Sequence, residues 1–70
     1  MPQMQPVAST MIAEVGYDAD SSKLYVKFLN GVTWEYDDVP ESVFDGLIGG
    51  GSAGSYFRNN VRDSYDGREV

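Results

Sequence analysis

Apolar and polar positions alternate along the first half of the chain and recur at helical spacing along the second. In MIAEVGYD (residues 11–18), Met11, Ala13, Val15 and Tyr17 alternate with Ile12 and Glu14, which predicts a strand with at least one buried face. DADSS (18–22) reads as a turn, because Asp and Ser side chains bond their own backbone two residues on. KLYVKFL is a cleaner strand, with Leu24, Val26 and Phe28 on one face and Lys23, Tyr25 and Lys27 on the other. VTWEYD sets Val32, Trp34 and Tyr36 against Thr33, Glu35 and Asp37. On these patterns Tyr25 and Ile12 point away from the main apolar face.

The register of the last two strands follows from their turn. A two-residue Asn30-Gly31 loop would place Trp34 and Tyr36 beside Lys27 and Tyr25, so the apolar faces would disagree. A three-residue loop, Leu29-Asn30-Gly31, pairs Phe28 with Val32, Val26 with Trp34 and Leu24 with Tyr36. All six apolar side chains then share one face, while Lys23 stands opposite Asp37 and Lys27 lies diagonal to Glu35. Gly31 takes the left-handed bulge position, which glycine adopts at little cost. The three-residue loop is the expectation.

Helical spacing takes over in DDVPESVFDGLIGGG. Pro40 suits a first helical turn, and Asp37, Asp38 and Glu41 sit near the positive end of the dipole. Val43, Phe44, Leu47 and Ile48 form one apolar face, and Gly49-Gly50-Gly51 ends the helix. Ser52 is a good N-cap for a second helix through about Ser64. There Phe57 and Val61 are spaced to bury, with Tyr65 a further candidate; Arg58 and Arg62, four apart, share another face. The expected fold is α+β: a small three-stranded antiparallel meander followed by two short helices packed on one sheet face, in the order β-β-β-α-α. Residues 1–8 are expected to be a flexible arm, residues 9–66 a single domain and residues 67–70 a tail.

Composition narrows the function classes. The chain has 70 residues, no cysteine, no histidine and a formal net charge of −6. A chain this short buries about 60% of its unfolded surface, and disulfides and thiolate metal sites are absent. Its nine aromatics must therefore carry much of the stability. No apolar run is long enough to span a bilayer, and the N-terminus has neither a basic nor an apolar signal-peptide region. The expectation is a soluble cytoplasmic protein. Acidity disfavours non-specific DNA binding. Without histidine, cysteine or a catalytic lysine constellation, no enzyme and no cofactor is expected.

Several motifs reduce to structure. Asp18, Asp20 and Ser22 match the start of a calcium loop, but the sixth position lacks glycine and Leu29 stands where the bidentate glutamate belongs. Asp37, Asp38, Glu41 and Asp45 are explained as acids around a helix start. The glycine run 49–51 lacks the lysine of a phosphate-binding P-loop and follows no strand.

The segment SAGSYFRNNVR (52–62) is different. Residues 1–51 hold two lysines against eight acids, whereas residues 52–70 hold three arginines against three. The helix start around Ser52, Gly54 and Ser55 offers backbone N–H groups to an anion. Arg58 and Arg62 add charges suited to phosphate, and Asn59 adds an amide. Tyr56 and the outward Tyr25 are candidate stacking surfaces. These eight residues form the candidate ligand site. Phe57 and Val61 read as core in the same segment.

The ordered set VGYD (15–18), LYVKF (24–28), WEY (34–36), VPESVF (39–44), SAGSYF (52–57), VR (61–62) and Tyr65 resembles the KTSC domain. That domain is named for the C-terminus of some lysyl-tRNA synthetases and also stands alone in short bacterial and bacteriophage proteins. The resemblance runs from about Ser9 to Tyr65. Two positions depart from the family pattern: Trp34 stands where tyrosine is usual, and Arg58 where asparagine is usual. The resemblance implies the fold, and its tRNA-synthetase context implies RNA as a candidate ligand. Two function classes follow. One is a non-catalytic module binding an RNA element or small nucleotide signal. The other is a protein-interaction or homo-oligomerising module with no nucleotide ligand.

Overall fold

The computed structural model describes residues 2–70; Met1, at the start of the expected arm, lies outside the described residues. The elements run β1 (Met4–Pro6), β2 (Ile12–Asp18), β3 (Lys23–Phe28), β4 (Thr33–Tyr36), α1 (Glu41–Gly49), α2 (Ala53–Asn60) and β5 (Gly67–Glu69). The sheet has five strands in the order β1-β2-β3-β4-β5, with every neighbouring pair antiparallel. The two helices cover one of its faces.

The expected three-stranded sheet is therefore extended at both edges. Met4–Pro6 pairs with Pro6 against Glu14 and Met4 against Gly16. Gly67–Glu69 returns after the helices to lie beside β4, pairing Tyr36 with Gly67 and Trp34 with Glu69. Neither segment alternates apolar with polar, so neither carries the period-2 signal of a half-buried strand. Main-chain bonds place them: Val7 N–H donates to Ala13 C=O at 3.2 Å, Asp37 N–H to Asp66 C=O at 2.9 Å, and Val70 N–H to Thr33 C=O at 2.9 Å.

The central hairpin has the expected register. Leu24 faces Tyr36 and Val26 faces Trp34, and Phe28 N–H donates to Val32 C=O at 2.8 Å. Gly31 has φ +91°, in the left-handed region, and its N–H donates to Phe28 C=O at 3.0 Å. The Asn30 side chain accepts from Val32 N–H at 3.0 Å and closes the loop. In the preceding turn Asp18 accepts from Asp20 N–H at 3.1 Å, which is the local Asp bond the sequence implied.

Ile12 differs from expectation. Simple alternation turns it away from the core, yet it is fully buried. The register between β2 and β3 shifts between Ile12 and Glu14, so Ile12 faces Phe28 while Glu14 faces Lys27. The extra residue of this bulge reverses the side-chain phase, bringing Ile12 onto the same face as Val15.

On the covered face, Ile12, Val15, Leu24, Val26 and Tyr36 pack with Val39, Val43, Phe44 and Leu47 and with Ala53, Phe57 and Val61. Helix α1 leans on β2, where Tyr17 stacks on Phe44 with centroids 5.7 Å apart and its hydroxyl donates to Val39 C=O at 2.6 Å. Ile48, expected on the apolar face of α1, is 38% exposed. Pro40 stands just before the first helical residue instead of inside the first turn. Helix α2 stops four residues short of the expected Ser64: Val61 and Arg62 N–H both turn back to Phe57 C=O, at 2.9 and 3.0 Å. That early stop lets the chain swing round to form β5.

Candidate functional site

A pocket of about 450 Å³ opens on the helix side of the sheet. Its floor comes from β3 and β4, through Phe28, Trp34 and Tyr36. Trp34 and Tyr36, two apart on one strand, necessarily share a face; their rings stack at 6.2 Å and 24°. Phe57 of α2 meets both strands edge-on, 5.4 Å from Phe28 and 5.8 Å from Tyr36. Arg62 and Tyr65, on the segment leaving α2, form the far wall with Gly67, and Met11 borders the Phe28 side. Gly67 is required by close approach: a Cβ there would come 2.5 Å from Tyr36 Cε1.

Among the described residues Arg62 is the sole cation lining this pocket. Its Nε lies 3.6 Å from Asp63 Oδ2, and both side chains are well exposed, so the pair holds the arginine weakly. Tyr36 is only 5% exposed. Burial pushes its phenol pKa upward, opposed by the nearby Arg62 charge. The arrangement supplies flat apolar surface, one cation and phenol and indole hydrogen-bond groups, which suits binding of a planar group with an attached anion.

The opposite face of the sheet carries a compact ionic cluster. Lys23 Nζ lies 3.2 Å from Glu35 Oε1 and 3.1 Å from Asp37 Oδ1. Arg68 of β5 pairs with both Glu35 and Asp37. The Tyr25 hydroxyl donates to Glu35 Oε2 at 2.8 Å. Arg68, then Lys23, hold the Asp37 carboxyl down at about 2. Glu35 is also held below the usual carboxylate range, most strongly by the Tyr25 hydroxyl. Asp37 and Glu35 in turn raise Lys23, and the bond to Glu35 raises the Tyr25 phenol. Two carboxylates meet two cations, so the cluster is charge-balanced and ties β5 to the hairpin.

The residues singled out in the sequence fall into three places. Arg62 lines the pocket. Tyr25 does point to the uncovered face, but it is 8% exposed and engaged with Glu35. The remainder gather around α2. Ser52 Oγ accepts from Ser55 N–H at 3.3 Å, so the cap fills one of the N–H groups offered to an anion. A Cβ on Gly54 would stand 3.2 Å from Ser9 Oγ, which places the helix start against the loop before β2. Tyr56 lies across α1: a Cβ on Gly46 would fall 2.2 Å from its Cζ. Arg58 reaches Ser55 Oγ at 3.5 Å, and Asn59 is exposed. Glu35, expected diagonal to Lys27, is engaged by Lys23, Tyr25 and Arg68.

Sequence reasoning assigned Phe28, Trp34, Tyr36 and Phe57 to the core and left Tyr65 a core candidate. It gave Met11, Gly67 and Arg68 no role in a site. One signal was available: Phe28, Trp34 and Tyr36 share one face of a single hairpin, a concentration of aromatic surface.

This is a small α+β domain with a meandering antiparallel sheet, two helices on one face and an aromatic pocket between them. The KTSC domain family model matches residues 8–65, and the chain belongs to that family. It is similar to a KTSC domain protein from Yersinia pestis of known crystal structure. That likeness has a TM-score of 0.92 and 31% identity, and covers 97% of this chain and 96% of the other. It is also 37% identical over 62 residues to a protein of Tsukamurella paurometabola, covering 89% of this chain and 92% of that one.

Proposed function

We propose that this chain is a non-catalytic binding module for a nucleotide-containing ligand, seated in the aromatic pocket between β3, β4, β5 and the end of α2. One observation carries the reading: five aromatic side chains converge with a single arginine on a pocket of about 450 Å³. Base stacking on an aromatic side chain contributes about 1–3 kcal/mol per base, and an arginine–phosphate bond is of the strong, charge-assisted kind. The binding centre thus moves from the start of α2 to its far end, with Arg62 common to both descriptions.

Trp34 is the chain's only tryptophan and lines the pocket, so its fluorescence reads occupancy directly. Titration with the four nucleoside 5′-monophosphates and with short oligoribonucleotides is expected to quench or shift that emission. Arg62→Ala is expected to weaken binding roughly 10- to 100-fold, the loss of one hydrogen bond to a charged group, with the circular dichroism spectrum unchanged. Binding of the wild type should weaken as salt rises. An emission spectrum indifferent to every one of these ligands at millimolar concentration would remove the proposal.

A second reading, a protein-interaction or self-assembly module, has one observation in its favour. The sheet is open, and its edge strands β1 and β5 each pair on one side only. Mass that grows with protein concentration in light scattering, without any nucleotide response, selects it.

A further inference from the structure

The pocket holds a polar group that its aromatic character does not explain. Tyr36 is 5% exposed, and among the described residues its hydroxyl has no hydrogen-bond partner, unlike the hydroxyls of Tyr17 and Tyr25. Yet among those residues no polar side-chain atom is both sealed from solvent and unpaired. The hydroxyl therefore has access to solvent, and Tyr36 is one of the residues that line the pocket. Arg62 lines the same pocket and lies near enough for its charge to act on this phenol. Water is the ordinary partner of a hydroxyl with access to solvent, and a phosphate oxygen can take that place.

We infer that the Tyr36 hydroxyl and the Arg62 guanidinium together form a two-point subsite for one phosphate group, making the ligand a single nucleotide rather than an RNA strand. The inference rests on the nucleotide reading of the pocket and names the ligand within it. The phenol donates to one phosphate oxygen while the guanidinium compensates the charge, and the ring system of Trp34 and Tyr65 receives the base. Size agrees, since small-molecule sites run to about 300–1,000 Å³. Charge agrees as well. The chain carries −6 overall, Arg68 is committed to Glu35 and Asp37 on the other face, and among the described residues Arg62 is the one cation lining the pocket. A polyanion would meet that field along its length with one cation in the pocket to receive it.

The test compares the four nucleosides, their 5′-monophosphates and 5′-phosphorylated tetranucleotides, read by Trp34 emission and by calorimetry on the full chain. The phosphate preference, the ratio of nucleotide to nucleoside affinity, is expected to be roughly tenfold or more in the wild type. Tyr36→Phe removes the hydroxyl and keeps the ring; it is expected to cut that preference at least threefold. Arg62→Gln is expected to abolish it, and tetranucleotides are expected to bind no tighter than monophosphates. Equal affinity for nucleosides and nucleotides, or an unchanged preference in Tyr36→Phe, overturns the subsite but leaves the base-binding pocket standing. Tighter binding of tetranucleotides overturns the single-nucleotide assignment. No response to any member of the panel overturns both this inference and the function from which it follows.

Discussion

Gly67 shows how much of the pocket depends on the absence of one carbon. Its place beside Tyr36 in the β4–β5 ladder brings backbone against the phenol ring. Gly67→Ala would insert a Cβ 2.5 Å from Tyr36 Cε1 and 2.6 Å from Cδ1, forcing either the ring or the strand to move. Overpacking of this kind costs about 1–3 kcal/mol, and urea denaturation is expected to show it. Gly51→Ala, with nothing within 4 Å of the added carbon, is the matched control and is expected to leave the urea midpoint almost unchanged. Equal midpoints for the two variants would contradict the close approach. At this scale the sequence was unevenly legible. Gly31 was readable because only one loop length brings six apolar side chains into phase. Ile12 was not, because a bulge changes the phase of one strand without changing its composition. Tyr25 was placed on the correct face, but its bond to Glu35 on the next strand leaves no mark in the alternation.

Among elements, β5 is the one whose attachment rests most on charge. All three of its residues are exposed, so little apolar burial holds it. Its bonds are the ladder to β4 and the pairs from Arg68 to Glu35 and Asp37. Asp37 stands at about 2 in the folded chain against an ordinary 3.8. The unfolded chain therefore takes up that proton first as pH falls. The stabilisation is complete above about pH 4 and is lost as pH drops toward 2, with Glu35 acting in the same direction. The melting temperature of Asp37→Asn is expected to be lower than that of wild type at pH 6 and to fall less steeply between about pH 4 and 2. Parallel acid limbs for the two proteins would show that Asp37 does not hold the strand. Such exposed pairs also weaken with salt. The sequence predicted the Lys23–Asp37 pair from hairpin register alone, but the tail carried no alternation from which to foresee Arg68 as its second cation.

For the molecule as a whole, the elements of the family resemblance and the covered face were readable, and the pocket was not. Strands and helices announce themselves by period. A pocket forms where elements distant in sequence fail to close on one another. Here Trp34 and Tyr36 precede both helices, while Tyr65 and Gly67 follow them. No local pattern relates the two groups, and the two arginines the sequence joined on one helix face divide once α2 ends at Asn60.

That same arrangement orders the folding reaction. Strands β1 to β4 join through three successive local pairings, whereas β4 and β5 must enclose residues 37–66 before they meet. Closing that loop costs more chain entropy than closing any of the hairpin turns, and non-local pairings of this kind slow folding. Trp34 faces Glu69 across this last pairing. In stopped-flow refolding, truncating residues 66–70 is expected to remove part of the Trp34 signal change while the central hairpin and helices still form, as followed by far-ultraviolet circular dichroism. Binding competence would then be the final property the chain acquires as it folds.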